Sequence, residues 1–206
     1  MKPDGTLRGE AIAPGKYNLS ANFWGGGSAV AEVESREVVV PEISTNDPDA
    51  PFDLGEIVVK AVKHLNIGDA APAFSVKTLD GRPLKLSDLH GKYVLLDFWA
   101  TWCGPCVAET PHLKAAYDAY GSDSRFVMVS LSLDQTAGLP EKFARDHDIK
   151  WQQGFLGEWS KDNVTKDYSV RGIPSIFLLG PDGTIIAQNL RGEEIKRAVG
   201  AALAAK

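Results

Sequence analysis

Cys103 and Cys106 are the only cysteines in the chain, and they stand three residues apart in Trp102-Cys103-Gly104-Pro105-Cys106. Side chains at that spacing share one face of a helix, near enough for the tight geometry of a disulfide, so the pair can close and reopen. Pro105 fits such a helix in its first turn, where an N–H has no intrahelical acceptor to reach. Both sulfurs therefore belong at a helix N-terminus. The unpaired N–H groups and the dipole there favour negative charge, most strongly on Cys103, the sulfur nearer the end. With two cysteines in all, no disulfide framework holds the fold together, and both thiols are free for chemistry.

A rigid strand before the pair and a helix after it must hold it in place. Residues 94–99, Val-Leu-Leu-Asp-Phe-Trp, are a nearly continuous apolar run, the pattern of a strand covered on both faces, and 126–133 is another. Helices are predicted over 105–120, 140–147, 160–168 and 193–205, with Ser160 as an N-cap. Residues 176–179 and 184–189, joined by Gly180-Pro181-Asp182-Gly183, predict a β-hairpin. The class is α/β, with a mixed central β-sheet flanked by helices on both faces.

A small β-rich module is expected in front, over residues 1–64, with the redox domain over 65–206. Residues 1–68 hold net −4 of the chain's −5. Tyr17, Leu19, Ala21 and Phe23 alternate with polar residues between Pro14-Gly15 and Gly25-Gly26-Gly27, a period of two that predicts a strand. Further strands are predicted at 30–40 and 56–62, with an exposed loop over 41–51. Without a lysine- or arginine-rich block, an extended phosphate backbone is no expected partner. The longest apolar run is far short of the roughly 20 residues of a membrane-spanning helix. Met1-Lys2-Pro3-Asp4-Gly5 opens no apolar stretch either, so no signal peptide or anchor is expected here, and the start of the longer polypeptide is expected upstream.

Asp97-Phe98-Trp99-Ala100-Thr101-Trp102-Cys103-Gly104-Pro105-Cys106 resembles the active-site segment of thioredoxins. Gly68-Asp69-Ala70-Ala71-Pro72-Ala73-Phe74, Gly91-Lys92-Tyr93-Val94-Leu95-Leu96, Glu109-Thr110-Pro111 and Gly172-Ile173-Pro174-Ser175 resemble the TlpA-like and ResA-like extracytoplasmic branch of the redoxin superfamily. In front, Asp4-Gly5-Thr6-Leu7 with Pro14-Gly15-Lys16-Tyr17-Asn18-Leu19 is similar to part of a carboxypeptidase regulatory-like β-sandwich module.

The resemblance implies a thioredoxin-like fold and thiol-disulfide exchange. Cys103 would form the mixed disulfide with substrate and Cys106 would resolve it. Asp97 would be a buried acid with a raised pKa, relaying a proton to or from Cys106. Pro174 would be a cis-proline whose neighbour Ile173 offers backbone groups to an extended peptide. Trp102 would border Cys103, Pro111 would kink the helix, and Glu109 is the branch's acid after the second cysteine, which could serve its own helix's first turn. Implied partners are protein disulfides and a membrane-bound or thioredoxin-type electron donor, for a monomer in the periplasm or cell envelope. Needing no cofactor beyond the Cys103–Cys106 disulfide, it would act as a reductase, since Gly-Pro between the cysteines resembles the reducing end of the family.

Other readings answer to particular residues. A structural zinc site would need two more ligands, and His64, His90, His112 and His147 show no paired spacing. A thiol peroxidase of the same superfamily would place a threonine three residues before its cysteine, whereas Thr101 precedes Cys103 by two. A binding module with a vestigial redox centre is the remaining alternative. Trp151 and Trp159 are expected in the core.

Overall fold

A computed structural model of the protein describes residues 12–25, 28–42, 53–55, 57–61, 64–158 and 164–205. The chain divides into two compact units, Met1–Lys63 and His64–Lys206. In the first, β1 (Gly15–Gly25), β2 (Ser28–Val40) and β3 (Lys60–Ala61) form an antiparallel sheet in that order. Tyr17 pairs with Val38 and Ala21 with Val33, and the register shifts between Leu19 and Ala21. Val33 and Val38 are buried, whereas Tyr17 is exposed. Arg36 donates to the carbonyl of Leu54 at 2.8 Å. The Asp4-Gly5-Thr6-Leu7 pattern and most of the 41–51 loop lie outside the described residues.

The second unit runs β4 (Ser75–Thr78), β5 (Pro83–Lys85), a 3-10 turn (Leu86–Leu89), β6 (Tyr93–Trp99), α1 (Gly104–Tyr120), β7 (Phe126–Ser132) and α2 (Gly138–Asp146). It continues with β8 (Gln152–Phe155), α3 (Val164–Asp167), β9 (Ser175–Leu179), β10 (Ile185–Gln188) and α4 (Glu193–Ala204). Seven strands form one mixed sheet in the order β10-β9-β6-β7-β8-β4-β5. Strands β6, β7 and β8 are parallel, and the other neighbouring pairs are antiparallel. Three of these strands lack the apolar patterns that predict a strand. β4 and β5 are short, and β8 reads Gln-Gln-Gly-Phe, so pairing with neighbours specifies them more than local sequence does. Of the helix predicted at 160–168, the structure shows Val164–Asp167, while Trp159 and Ser160 lie outside the described residues.

The period-two geometry of β6 sorts its side chains between two cores. Val94, Leu96 and Phe98 join Val129, Tyr168 and Phe177 on the face covered by the 3-10 turn and α3. Leu95 meets Leu113 and Ala116 of α1, and Ile195 and Val199 of α4, on the other. Asp97 has the parity of Leu95, so an acid takes its place in the row beneath α1.

The middle of the sheet leaves no spare volume at Gly154. A Cβ there would stand 2.6 Å from Cδ2 of Leu131 and 3.2 Å from Cγ2 of Val76. Gly154→Ala should therefore destabilise the redox unit by roughly 1–3 kcal/mol through overpacking, read as a lower urea midpoint at unchanged slope.

Candidate active site

Trp99 ends β6, and the chain turns through Ala100–Thr101–Trp102 into α1 with Cys103 as N-cap. Gly104 and Pro105 take the first two helical positions, and the N–H of Cys106 donates to Sγ of Cys103 at 3.2 Å. The two sulfurs are bonded, 2.02 Å apart. Asp134, fully buried, fixes the turn that presents them. Its carboxylate accepts from the N–H of Thr101 at 3.1 Å, from the Thr101 hydroxyl at 2.6 Å and from the Ser132 hydroxyl at 2.8 Å. The Thr101 hydroxyl is thereby committed to Asp134.

A second segment closes over the pair. The peptide bond between Ile173 and Pro174 is cis, and the Ile173 carbonyl oxygen lies 3.6 Å from Sγ of Cys103. Arg191 donates to the carbonyls of Pro174 and Leu190, tying this segment to the approach to α4. Glu109 accepts from the N–H of Gly192 at 2.8 Å, and Gly192 is the N-cap of α4. Its carboxylate therefore serves the N-terminus of α4, where an anion is favoured, and not that of its own helix. Pro111 sits within α1. Trp102 is 60% exposed beside the pair, while Cys103 is 6% and Cys106 3% exposed. The closed disulfide and the overlying Ile173 carbonyl leave the sulfurs with similar cover, so the helix terminus, more than exposure, distinguishes Cys103.

Beneath the pair lies a polar row. Asp97 on β6 is paired with Ser130 on β7, and Ser130 with Gln153 on β8, so parallel register lines the three side chains up on one face. The Ser130 hydroxyl donates to Oδ2 of Asp97 at 3.1 Å and accepts from Nε1 of Trp151 at 2.9 Å. Burial pushes the Asp97 carboxyl up from 3.8 to about 7. The Ser130 hydrogen bond and the Arg191 charge pull it back, and the Glu109 charge raises it a little further. A cavity of about 10 Å³ is lined by Asp97, Trp99, Cys106, Ser130, Trp151 and Gln153, among others. The acid and the second cysteine thus border the same small cavity.

The structure gathers Cys103, Cys106, Trp102, Ile173 and Pro174 at the start of α1, with Asp97 below and Glu109 at α4. Sequence reasoning missed Ser130, Gln153, Asp134 and Arg191, and gave Trp151 only a packing role. Ser130 and Ser132 interrupt an apolar strand, and polar residues at alternate strand positions could have flagged them. Gln153 and Arg191 carry no such signal. Among the described residues, no group of three or more His, Cys, Asp and Glu could hold a metal ion, and no helix is long and apolar enough to cross a membrane.

Residues 67–188 match the model of the AhpC/TSA family. The thiol-disulfide oxidoreductase ResA of Bacillus thuringiensis is 33% identical over 132 residues, 64% of this chain and 73% of that protein. The thioredoxin-like protein YneN of Bacillus subtilis is 35% identical over 119 residues, 57% of this chain and 68% of that one. Among solved structures, the thioredoxin domain of a thiol-disulfide oxidoreductase from Bacteroides vulgatus superposes with a TM-score of 0.62 at 34% identity, over 66% of this chain and 97% of that one. A thiol:disulfide interchange protein from Bacteroides sp. gives 0.63 at 34%, over 69% and 93%.

Proposed function

Because the chain belongs to the AhpC/TSA family, and is a thiol-disulfide oxidoreductase of thioredoxin-like fold, we propose that it reduces protein disulfides through Cys103 and Cys106. The observation that carries this reading is the closed cysteine pair at the N-terminus of α1, with the Ile173 carbonyl 3.6 Å from Sγ of Cys103. In the dithiol form the helix terminus and the Cys106 N–H favour a thiolate on Cys103. That thiolate attacks one sulfur of a substrate disulfide, giving a mixed disulfide and releasing the other sulfur. Cys106 then displaces the second substrate sulfur, so the substrate gains two electrons and the enzyme pair closes. Asp97 accepts the Cys106 proton, a task suited to a carboxyl titrating near 7. An extended peptide lies along Trp102 and the backbone of Ile173 and Pro174.

A membrane-bound or thioredoxin-type donor returns the electrons, in the periplasm or cell envelope, to a monomeric enzyme. Residues 1–64 are a separate module, similar to part of a carboxypeptidase regulatory-like domain, ahead of a redox domain over 65–206. The peroxidase alternative asks for a threonine hydroxyl near the reacting sulfur, and that of Thr101 is held by Asp134.

Equilibration with glutathione buffers tests the direction. A midpoint more negative than about −230 mV is expected of a reductase, and one near about −120 mV would reverse the assignment. Insulin reduction with negligible peroxide consumption is the accompanying result.

A further inference from the structure

Arg191 is exposed, yet both amino groups of its guanidinium are tied down, one to the carbonyl of Pro174 and the other to that of Leu190 at 2.7 Å. These bonds take away the rotamer freedom of a long side chain, so its charge stands in one place. A guanidinium carries five N–H donors in a planar fork, and three remain after these two bonds. Among the described residues no carboxylate stands within ion-pair distance of it. The acids of this corner are committed elsewhere. Glu109 accepts from the Gly192 N–H at 2.8 Å, Glu193 stands 3.6 Å from Nδ1 of His112, and Glu194 accepts from Arg197 at 3.0 Å. An exposed arginine without a counter-charge is ordinary, but the placement of this one is not. Pro174, whose carbonyl it holds, follows Ile173, whose carbonyl oxygen lies 3.6 Å from Sγ of Cys103. One residue of backbone therefore separates the reacting sulfur from the guanidinium, a span on the order of 10 Å, or about three residues of extended peptide.

We propose that Arg191 selects among clients by pairing with an Asp or Glu carboxylate close in sequence to the client's reacting cysteine, so that acidic extended segments are the preferred substrate class. The inference rests on the reading of the chain as a disulfide reductase whose clients dock along Ile173 and Pro174. Both anchoring bonds go to neutral carbonyls, so the full positive charge is left for the client. The remaining donors suit a carboxylate, which a guanidinium meets with two parallel N–H bonds where a lysine offers only a point charge. A basic client residue at the same place meets like charge and is disfavoured. Trp102, 60% exposed, presents an apolar contact that does not distinguish one charge from another. Arg191 exchanges neither proton nor electron in this role. It favours the docked state, so its effect falls on KM and not on kcat. Its charge also acts on Asp97, but that influence is common to every client.

The test uses the full reduced chain and short peptides, each a symmetric dimer joined through its single cysteine, with Glu, Gln or Lys two residues before or two residues after that cysteine. Dividing each rate by that with dithiothreitol removes differences in intrinsic reactivity. At low salt, kcat/KM for the Glu peptide should exceed that for the Gln peptide by about fivefold in one placement, through KM, with Lys below Gln. The favoured placement reads the direction in which the client lies. The ratio should shrink towards unity in about 0.5 M salt, which screens an exposed pair. Arg191→Gln should abolish the ratio, and Arg191→Lys, which keeps the charge without the fork, should retain part of it. Loosening of the Pro174 segment would slow all peptides alike, so the ratio between peptides, and not the rate, separates selection from a merely structural role. The wild-type series stands on its own if Arg191→Gln fails to fold. Equal rates for Glu and Gln in both placements, or a Glu preference that survives Arg191→Gln, would overturn the selection while disulfide reduction stands. Failure to reduce any of the peptides would strike the reductase reading, and the selection with it.

Discussion

Cys103→Ser should lower insulin reduction by at least about 10³-fold, to the rate without enzyme, because a serine hydroxyl at the same helix terminus supplies no thiolate at neutral pH. Cys103 is the N-cap of α1 and its Sγ accepts from the Cys106 N–H, so the variant removes the one atom that this helix terminus activates. Cys106→Ala is predicted to lose turnover as completely by a different route. Attack by Cys103 survives, resolution does not, and the protein accumulates as a covalent adduct with its substrate. Mass spectrometry of the peptide containing Trp102 and Cys103 reads that adduct directly, and dithiothreitol should release it. Adducts found on Cys106 in the Cys103 variant, and none in the converse, would exchange the two roles.

Asp97→Asn should make the protein more stable at pH 8 by up to about 4 kcal/mol, the three-unit rise in its pKa expressed as free energy. The native carboxyl holds its proton to about pH 7, whereas the unfolded one releases it near 3.8. Below the lower value both states are protonated and Asp97 costs nothing. Between the two the native state binds more protons than the unfolded state, so stability falls as pH rises, and above about 7 the full loss persists. An amide at this position removes that slope. Urea unfolding from pH 4 to 8 should show wild type losing stability across this window relative to Asp97→Asn, with the two nearly equal at pH 4. At pH 8 the gain corresponds to a melting temperature about 10 °C higher. Parallel curves at every pH would show that the carboxyl is not held protonated by burial.

The parts of the site that lie within one continuous segment were legible in the sequence. Trp102 to Cys106 carries its own helix start, with Pro105 in the first turn, and the apolar run before it marks β6. The cis bond before Pro174 came from resemblance, since nothing in the spacing of Gly172-Ile173-Pro174-Ser175 demands it. What stayed hidden depends on register between strands distant in sequence. Ser130 and Gln153 matter because parallel pairing sets them beside Asp97, and β8 carries no apolar run that would announce a strand. Glu109 shows the same limit, because its partner is a backbone N–H 83 residues away. The spare charge of Asp134 likewise becomes meaningful only once β7 delivers it to the turn at Thr101.

Arg191 grips the carbonyl of Pro174 from one side of Gly192, and Glu109 grips the N–H of Gly192 from the other. The segment proposed to dock a client peptide is consequently pinned by Arg191 at the entry to the C-terminal helix α4, and not by any side chain shown from within that helix. Tension or crowding applied to that C-terminal helix would be felt first as a looser hold on the client, before any change in the disulfide bond itself.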